Sequence, residues 1–64
     1  MQPYQARVIE EHKELVEKRL LLQAFLNSAT FDDINPAERG RLENQYCIMG
    51  RYIDVLADRI EHFE

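Results

Sequence analysis

The chain has 64 residues, a formal net charge of −4 from 8 basic and 12 acidic side chains, one cysteine and 45% hydrophobic residues. A core of this size rarely supplies more than about 3–5 kcal/mol, so natural miniproteins add disulfides, a metal or further subunits. Cys47, the single cysteine, excludes an internal disulfide. His12 and His62 fall on different helices with no Cys/His cluster at ligand spacing, which argues against a metal and leaves oligomerisation. The acidic balance opposes duplex DNA or RNA binding. No apolar run reaches the roughly 18–20 residues of a membrane span, and no secretory signal opens the chain. A lone free thiol fits the cytoplasm.

The first helix is predicted over about residues 3–27, with Pro3 in its first turn. At helical spacing Tyr4, Val8, Leu15, Leu22 and Leu26 form one apolar stripe, and Ile9, Val16 and Leu20 form a second roughly 100° away. Gln5, His12, Arg19 and Gln23 make a polar spine between them. The opposite face carries Glu10, Glu14, Glu17 and Lys13, with Glu14 and Lys18 in the favourable four-residue order.

Residues 28–35 form the connection, whose length suits antiparallel neighbours. Phe31 and Ile34 are expected to plug its end. Asp32-Asp33 lacks the repeated oxygen-ligand spacing of a calcium loop. At the midpoint, Asn35-Pro36-Ala37-Glu38 is a helix-start signal: Asn35 accepts from free backbone N–H groups, Pro36 needs no donor there, and Glu38 is expected to reach back to the cap.

The second helix is predicted over about residues 36–62. Leu42, Met49, Ile53, Leu56 and Ile60 share a stripe, with Tyr46 and Ala57 at its edge. Ile48 and Val55 form a second ridge roughly 100° away. Gln45, Tyr52 and Arg59 recur every seven residues between the two. Gly50 costs about 0.8–1 kcal/mol inside a helix, so something is expected to approach closely there: a packed helix, or a pocket beside Tyr46 and Arg51. Gly40, nearer the helix start, carries a weaker message.

The expected fold is therefore all-α, a two-helix antiparallel hairpin forming one domain and assembling into a homo-oligomeric helical bundle. One ridge per helix closes the hairpin, and the second asks for another chain. No catalytic constellation appears. Cys47 has no histidine at helical spacing, and the Asp54/Asp58 pair is of a kind that ordinary solvated helix faces produce constantly. Polar residues set among apolar ridges often fix register and oligomer state. In a cleft between subunits the same arginines grip phosphates while tyrosines stack on bases or ribose.

The pattern Arg7-Val8, Glu11, Glu14-Leu15, Lys18, Leu22, Phe25, Phe31, Glu38, Leu42, Gln45, Met49, Tyr52, Leu56 and Arg59-Ile60 resembles small helical-hairpin proteins of phages and prophages related to a crAss-like-phage protein. In size and architecture the chain is also similar to the anti-CBASS and anti-Thoeris sponges, which bind cyclic nucleotide or cyclic ADP-ribose signals without catalysis. That resemblance implies a non-enzymatic accessory protein, without cofactor, that sequesters a small anionic nucleotide. No site carries over from that resemblance; by their own chemistry, phosphate contact for arginine and stacking for tyrosine, the residues expected to touch the ligand are Arg19, Tyr46, Arg51, Tyr52 and Arg59. The alternative expectation is a helical interaction module that docks on a host protein and inhibits or regulates it.

Overall fold

The computed structural model describes all 64 residues, Met1–Glu64. The all-α class expected from the sequence is observed, with three helices: α1 (Pro3–Leu26), α2 (Ala29–Asp32) and α3 (Pro36–Glu61). Both long helices begin at a proline, whose fixed φ and missing N–H suit the first helical position. Asn35 caps α3, its Oδ1 accepting from the Ala37 N–H at 2.8 Å. Glu38 does not reach back to that cap as expected. Its carboxylate accepts from Arg41 Nε at 2.7 Å, because a guanidinium one turn along is the better partner for it. At the start of α1, Gln5 Oε1 accepts from the Gln2 N–H at 2.8 Å.

The short helix α2 inside the connection was not expected. Ser28 starts it: the Ser28 hydroxyl accepts from the Phe31 N–H at 3.3 Å and itself donates to the Phe25 carbonyl at 2.6 Å. One serine thus closes α1 and opens α2. That turn sets Phe31 edge-on to Phe25, with ring centroids 6.2 Å apart and an interplanar angle of 81°.

The long helices lie side by side with opposite chain directions. Tyr4 meets Phe63, Glu11 meets Tyr52, and Arg19 meets Tyr46. The result is a rod of 47 × 14 × 14 Å between Cα atoms. Only Gln5, Val8 and Leu56 are buried, at 4%, 7% and 0% exposure. A compact monomer of 7.6 kDa exposes about 4,300 Å² by the usual scaling, whereas this chain exposes 4918 Å². Its radius of gyration, 14.7 Å, likewise exceeds the about 11 Å of a compact domain of this length. No helix is long and apolar enough to cross a membrane.

Candidate binding surfaces on the two faces of the helix pair

The first surface is built around Gly50. Tyr46 and Gly50 stand one turn apart on α3, so they share a face. Arg19 of α1 reaches across to both. Its Nε donates to the Tyr46 carbonyl at 3.1 Å, and its guanidinium carbon lies 3.8 Å from the Tyr46 ring centroid, a cation–π stack. A Cβ on Gly50 would stand 2.8 Å from Arg19 Nη2 and 3.0 Å from Arg19 Cζ. The close approach expected at Gly50 is therefore a side chain from the other helix, in the space where a pocket beside Arg51 had been the alternative. By contrast, a Cβ on Gly40 would meet nothing within 4 Å.

Beside Arg19 runs a shallow apolar groove of about 160 Å³, lined by Val16, Arg19, Leu20, Gln23 and Ile53. Val16 and Leu20 belong to the second ridge of α1. Leu20 is 59% exposed, which leaves one wall of the groove open to solvent.

The second surface is the outer edge of α3. Ile48 and Val55, its second ridge, are 54% and 55% exposed, and Tyr52 lies between them at 43%. The Tyr52 hydroxyl donates to Glu11 of α1. That hydrogen bond, followed by desolvation and the Glu11 charge, raises the phenol above its ordinary pKa of 10.0, and nearby Arg59 opposes the rise.

The five residues expected to touch a ligand thus separate. Arg19 and Tyr46 meet on the groove side. Tyr52 and Arg59 neighbour each other on the ridge side. Arg51 is exposed and joins neither pair. Sequence reasoning did not single out Val16, Leu20, Gln23 and Ile53 as one groove, nor Glu11 as the partner of Tyr52. The Gly50–Tyr46 spacing was the available signal for the first of these, and nothing in a single helix's pattern marks the second. Elsewhere, Cys47 is exposed, Asp58 lies 3.5 Å from His62 Nδ1 in a solvated pair, and Arg39 Nε is buried without a hydrogen-bond partner. No three His, Cys, Asp or Glu side chains come together as metal ligands.

The family model described as Sequestin matches residues 2–62 of the chain. The chain belongs to the Sequestin family. It is also 39% identical over 64 residues, the whole of both chains, to a protein of Enterobacteria phage T4 described as an uncharacterized 7.5 kDa protein in the denB-rIIB intergenic region. The phage character expected from the sequence is supported by these similarities, which are silent on a crAss-like relative and on the signal sponges. No solved structure matches the chain.

Proposed function

We propose that this Sequestin-family chain is a non-enzymatic phage accessory protein of the host cytoplasm that sequesters a small anionic nucleotide, such as a cyclic nucleotide or cyclic ADP-ribose defence signal, between copies of itself. The observation that carries the reading is the Arg19–Tyr46–Gly50 arrangement beside an apolar groove. Stacking on Tyr46 holds the guanidinium in place, and its hydrogen bond to the protein engages Nε. The two terminal amino groups of the fork are then suited to bidentate contact with a phosphate. The family's name, Sequestin, is in keeping with capture rather than turnover.

The groove's 160 Å³ falls short of the about 300–1,000 Å³ of ordinary small-molecule sites. A nucleotide would therefore need a second wall, which a homo-oligomer of the hairpin supplies. Tyr52 and Arg59, on the other face, are the side chains offered for stacking and for a second phosphate contact, and Arg51 is the weakest of the five positions because it stands apart from both groups.

The test is a thermal-shift panel of cyclic dinucleotides and cyclic ADP-ribose isomers. A ligand that raises the melting temperature, with the shift abolished in Arg19→Ala or Arg59→Ala while the sedimentation coefficient is unchanged, supports sequestration. The absence of any shift at millimolar ligand overturns it. A second reading, a module that docks on and blocks a host protein, is favoured by the exposed Ile48–Val55 ridge. That reading expects the ridge to remain open in solution, whereas sequestration between copies expects it to be covered.

A further inference from the structure

Neither glycine of α3 has a positive φ, so the backbone at Gly40 and Gly50 suits any residue. Inside a helix, glycine is disfavoured more than any residue except proline. The two positions differ in what surrounds them. A Cβ on Gly40 would meet nothing within 4 Å, whereas one on Gly50 would stand 2.8, 3.0 and 3.2 Å from Nη2, Cζ and Nε of Arg19. All three atoms belong to the guanidinium, so a methyl group at Gly50 displaces the charged head of that side chain. The head ends a long flexible stem and swings away without disturbing either helix. The fold therefore does not require Gly50, but the place of the guanidinium does.

That place is defined from three sides. The Tyr46 ring lies 3.8 Å from the guanidinium carbon, the Tyr46 carbonyl accepts from Nε at 3.1 Å, and Gly50 leaves the seat between them open. Arg7, Arg41, Arg51 and Arg59 are exposed, whereas Arg19 is half-buried and is the arginine stacked on an aromatic ring. Its charge is also unpaired. Leu15, Val16, Leu22 and Gln23, one turn to either side on α1, carry no charge. The ion pairs of the chain are Arg41 with Glu38 and His62 with Asp58. Of the five N–H donors of a guanidinium, the one on Nε has a protein acceptor at Arg19. A guanidinium that is held, half-buried and unpaired presents its remaining donors to an anion.

We infer that Gly50 is a positioning residue for anion capture: the side chain it lacks is the room in which the Arg19 guanidinium is held, with its amino groups turned to a phosphate at the edge of the groove. Gly50 acts on the anion only through Arg19. An arginine loose in solvent loses rotamer freedom when it grips a ligand, whereas one already seated has lost it on folding and binds more tightly for the same contacts. This is a reason for glycine to stand where alanine would favour the helix. The inference rests on the sequestration reading for the natural ligand; the seating of Arg19 is a property of the free chain.

The first measurement follows the side-chain Nε–H resonance of Arg19 by NMR in the full chain, identified by its loss in Arg19→Lys. Gly50→Ala is expected to shift this resonance and speed its exchange with water, with helicity by circular dichroism retained. Gly40→Ala adds the same methyl group to the same helix in open space, and is expected to leave the resonance in place. Tyr46→Leu is expected to act as Gly50→Ala does, and Tyr46→Phe, which keeps the ring, to preserve the signal. A resonance unmoved in Gly50→Ala, or moved equally by Gly40→Ala, overturns the inference.

The second measurement adds inorganic pyrophosphate at constant ionic strength. In the unaltered chain the Arg19 resonance is expected to respond several-fold more than that of exposed Arg7, and in Gly50→Ala this excess is expected to disappear. Equal responses at Arg19 and Arg7, no response at Arg19, or a response that Gly50→Ala leaves intact each overturn the inference. Pyrophosphate is not a nucleotide, so a Gly50-dependent response beside a negative thermal-shift panel removes the nucleotide and leaves the positioning. A nucleotide thermal shift undiminished in Gly50→Ala does the reverse: sequestration stands and the role of Gly50 falls.

Discussion

The two ends of the rod are held by different physics. Where the chain termini meet, burial dominates: Leu56 and Val8 are 0% and 7% exposed, Gln5 caps α1 from a buried position, and Tyr4 packs edge-on to Phe63 with centroids 6.0 Å apart. At the connection no side chain is fully buried, and the backbone is held by local hydrogen bonds from Ser28 and Asn35 around the Phe25–Phe31 contact. Apolar burial is non-directional and needs many neighbours, which the paired helix ends supply. Caps need only a side-chain oxygen in the right local conformation, so they work in a thin, solvated turn.

The sharpest way to break this contrast is Leu56→Ala. Truncating a buried leucine costs about 2–5 kcal/mol, comparable to the about 3–5 kcal/mol that a core of this size supplies. The isolated chain is expected to be largely unfolded in a circular-dichroism melt at low concentration. Phe31→Ala, at the half-buried connection, is expected to cost clearly less; equal losses would remove the distinction between the ends.

At the connection, Asn35→Ala is expected to destabilise by about 1 kcal/mol, whereas Asn35→Gly costs only a few tenths. Chemical denaturation of the two variants separates them, and equal effects would show that the side-chain cap is dispensable.

Between the two ends, a double-mutant cycle isolates the Arg19 latch. With Arg19→Ala in place, Gly50→Ala is expected to stabilise α3 by about 0.8–1 kcal/mol, the ordinary helix preference for alanine. With Arg19 present the gain is reduced or reversed, because the new Cβ displaces a guanidinium that stands 2.8 Å away. Identical effects in both backgrounds would mean that Arg19 and Gly50 are not coupled.

The smallest effect concerns pH. Tyr52 has a folded pKa raised above 10.0, chiefly by its hydrogen bond to Glu11. Its contribution to stability is therefore complete below that value and fades as the pH climbs through the raised folded pKa. An ultraviolet titration of phenolate formation is expected to show Tyr52 ionising at lower pH in Glu11→Gln than in the unaltered chain. An unchanged titration would count against the hydrogen bond.

Much of the local architecture is legible along the chain. Pro3 and Pro36 mark where the long helices start, Asn35 is read correctly as a cap, and helical spacing finds both apolar stripes on each helix. Ser28, a good helix cap by residue type, starts α2 inside a stretch whose composition otherwise reads as an eight-residue connection. Glu38 fits the capping motif by spacing but pairs with Arg41, a competitor that lies outside the four-residue motif. Gly50 announces a close approach, yet its neighbour is 31 positions away in sequence.

By itself, the sequence determined the all-α class, the helix starts and the surplus of apolar surface, because these depend on backbone preferences and on periodicities within a single helix. Only the tertiary structure decided that Arg19 fills the space left by Gly50, that Tyr52 pairs with Glu11, and that the five candidate residues fall into separate groups. Those outcomes depend on how far each helix is rotated against its neighbour. Periodicity within one helix is unchanged by that rotation, so a pattern that defines a stripe does not say which flank of it turns toward a groove and which toward a ridge.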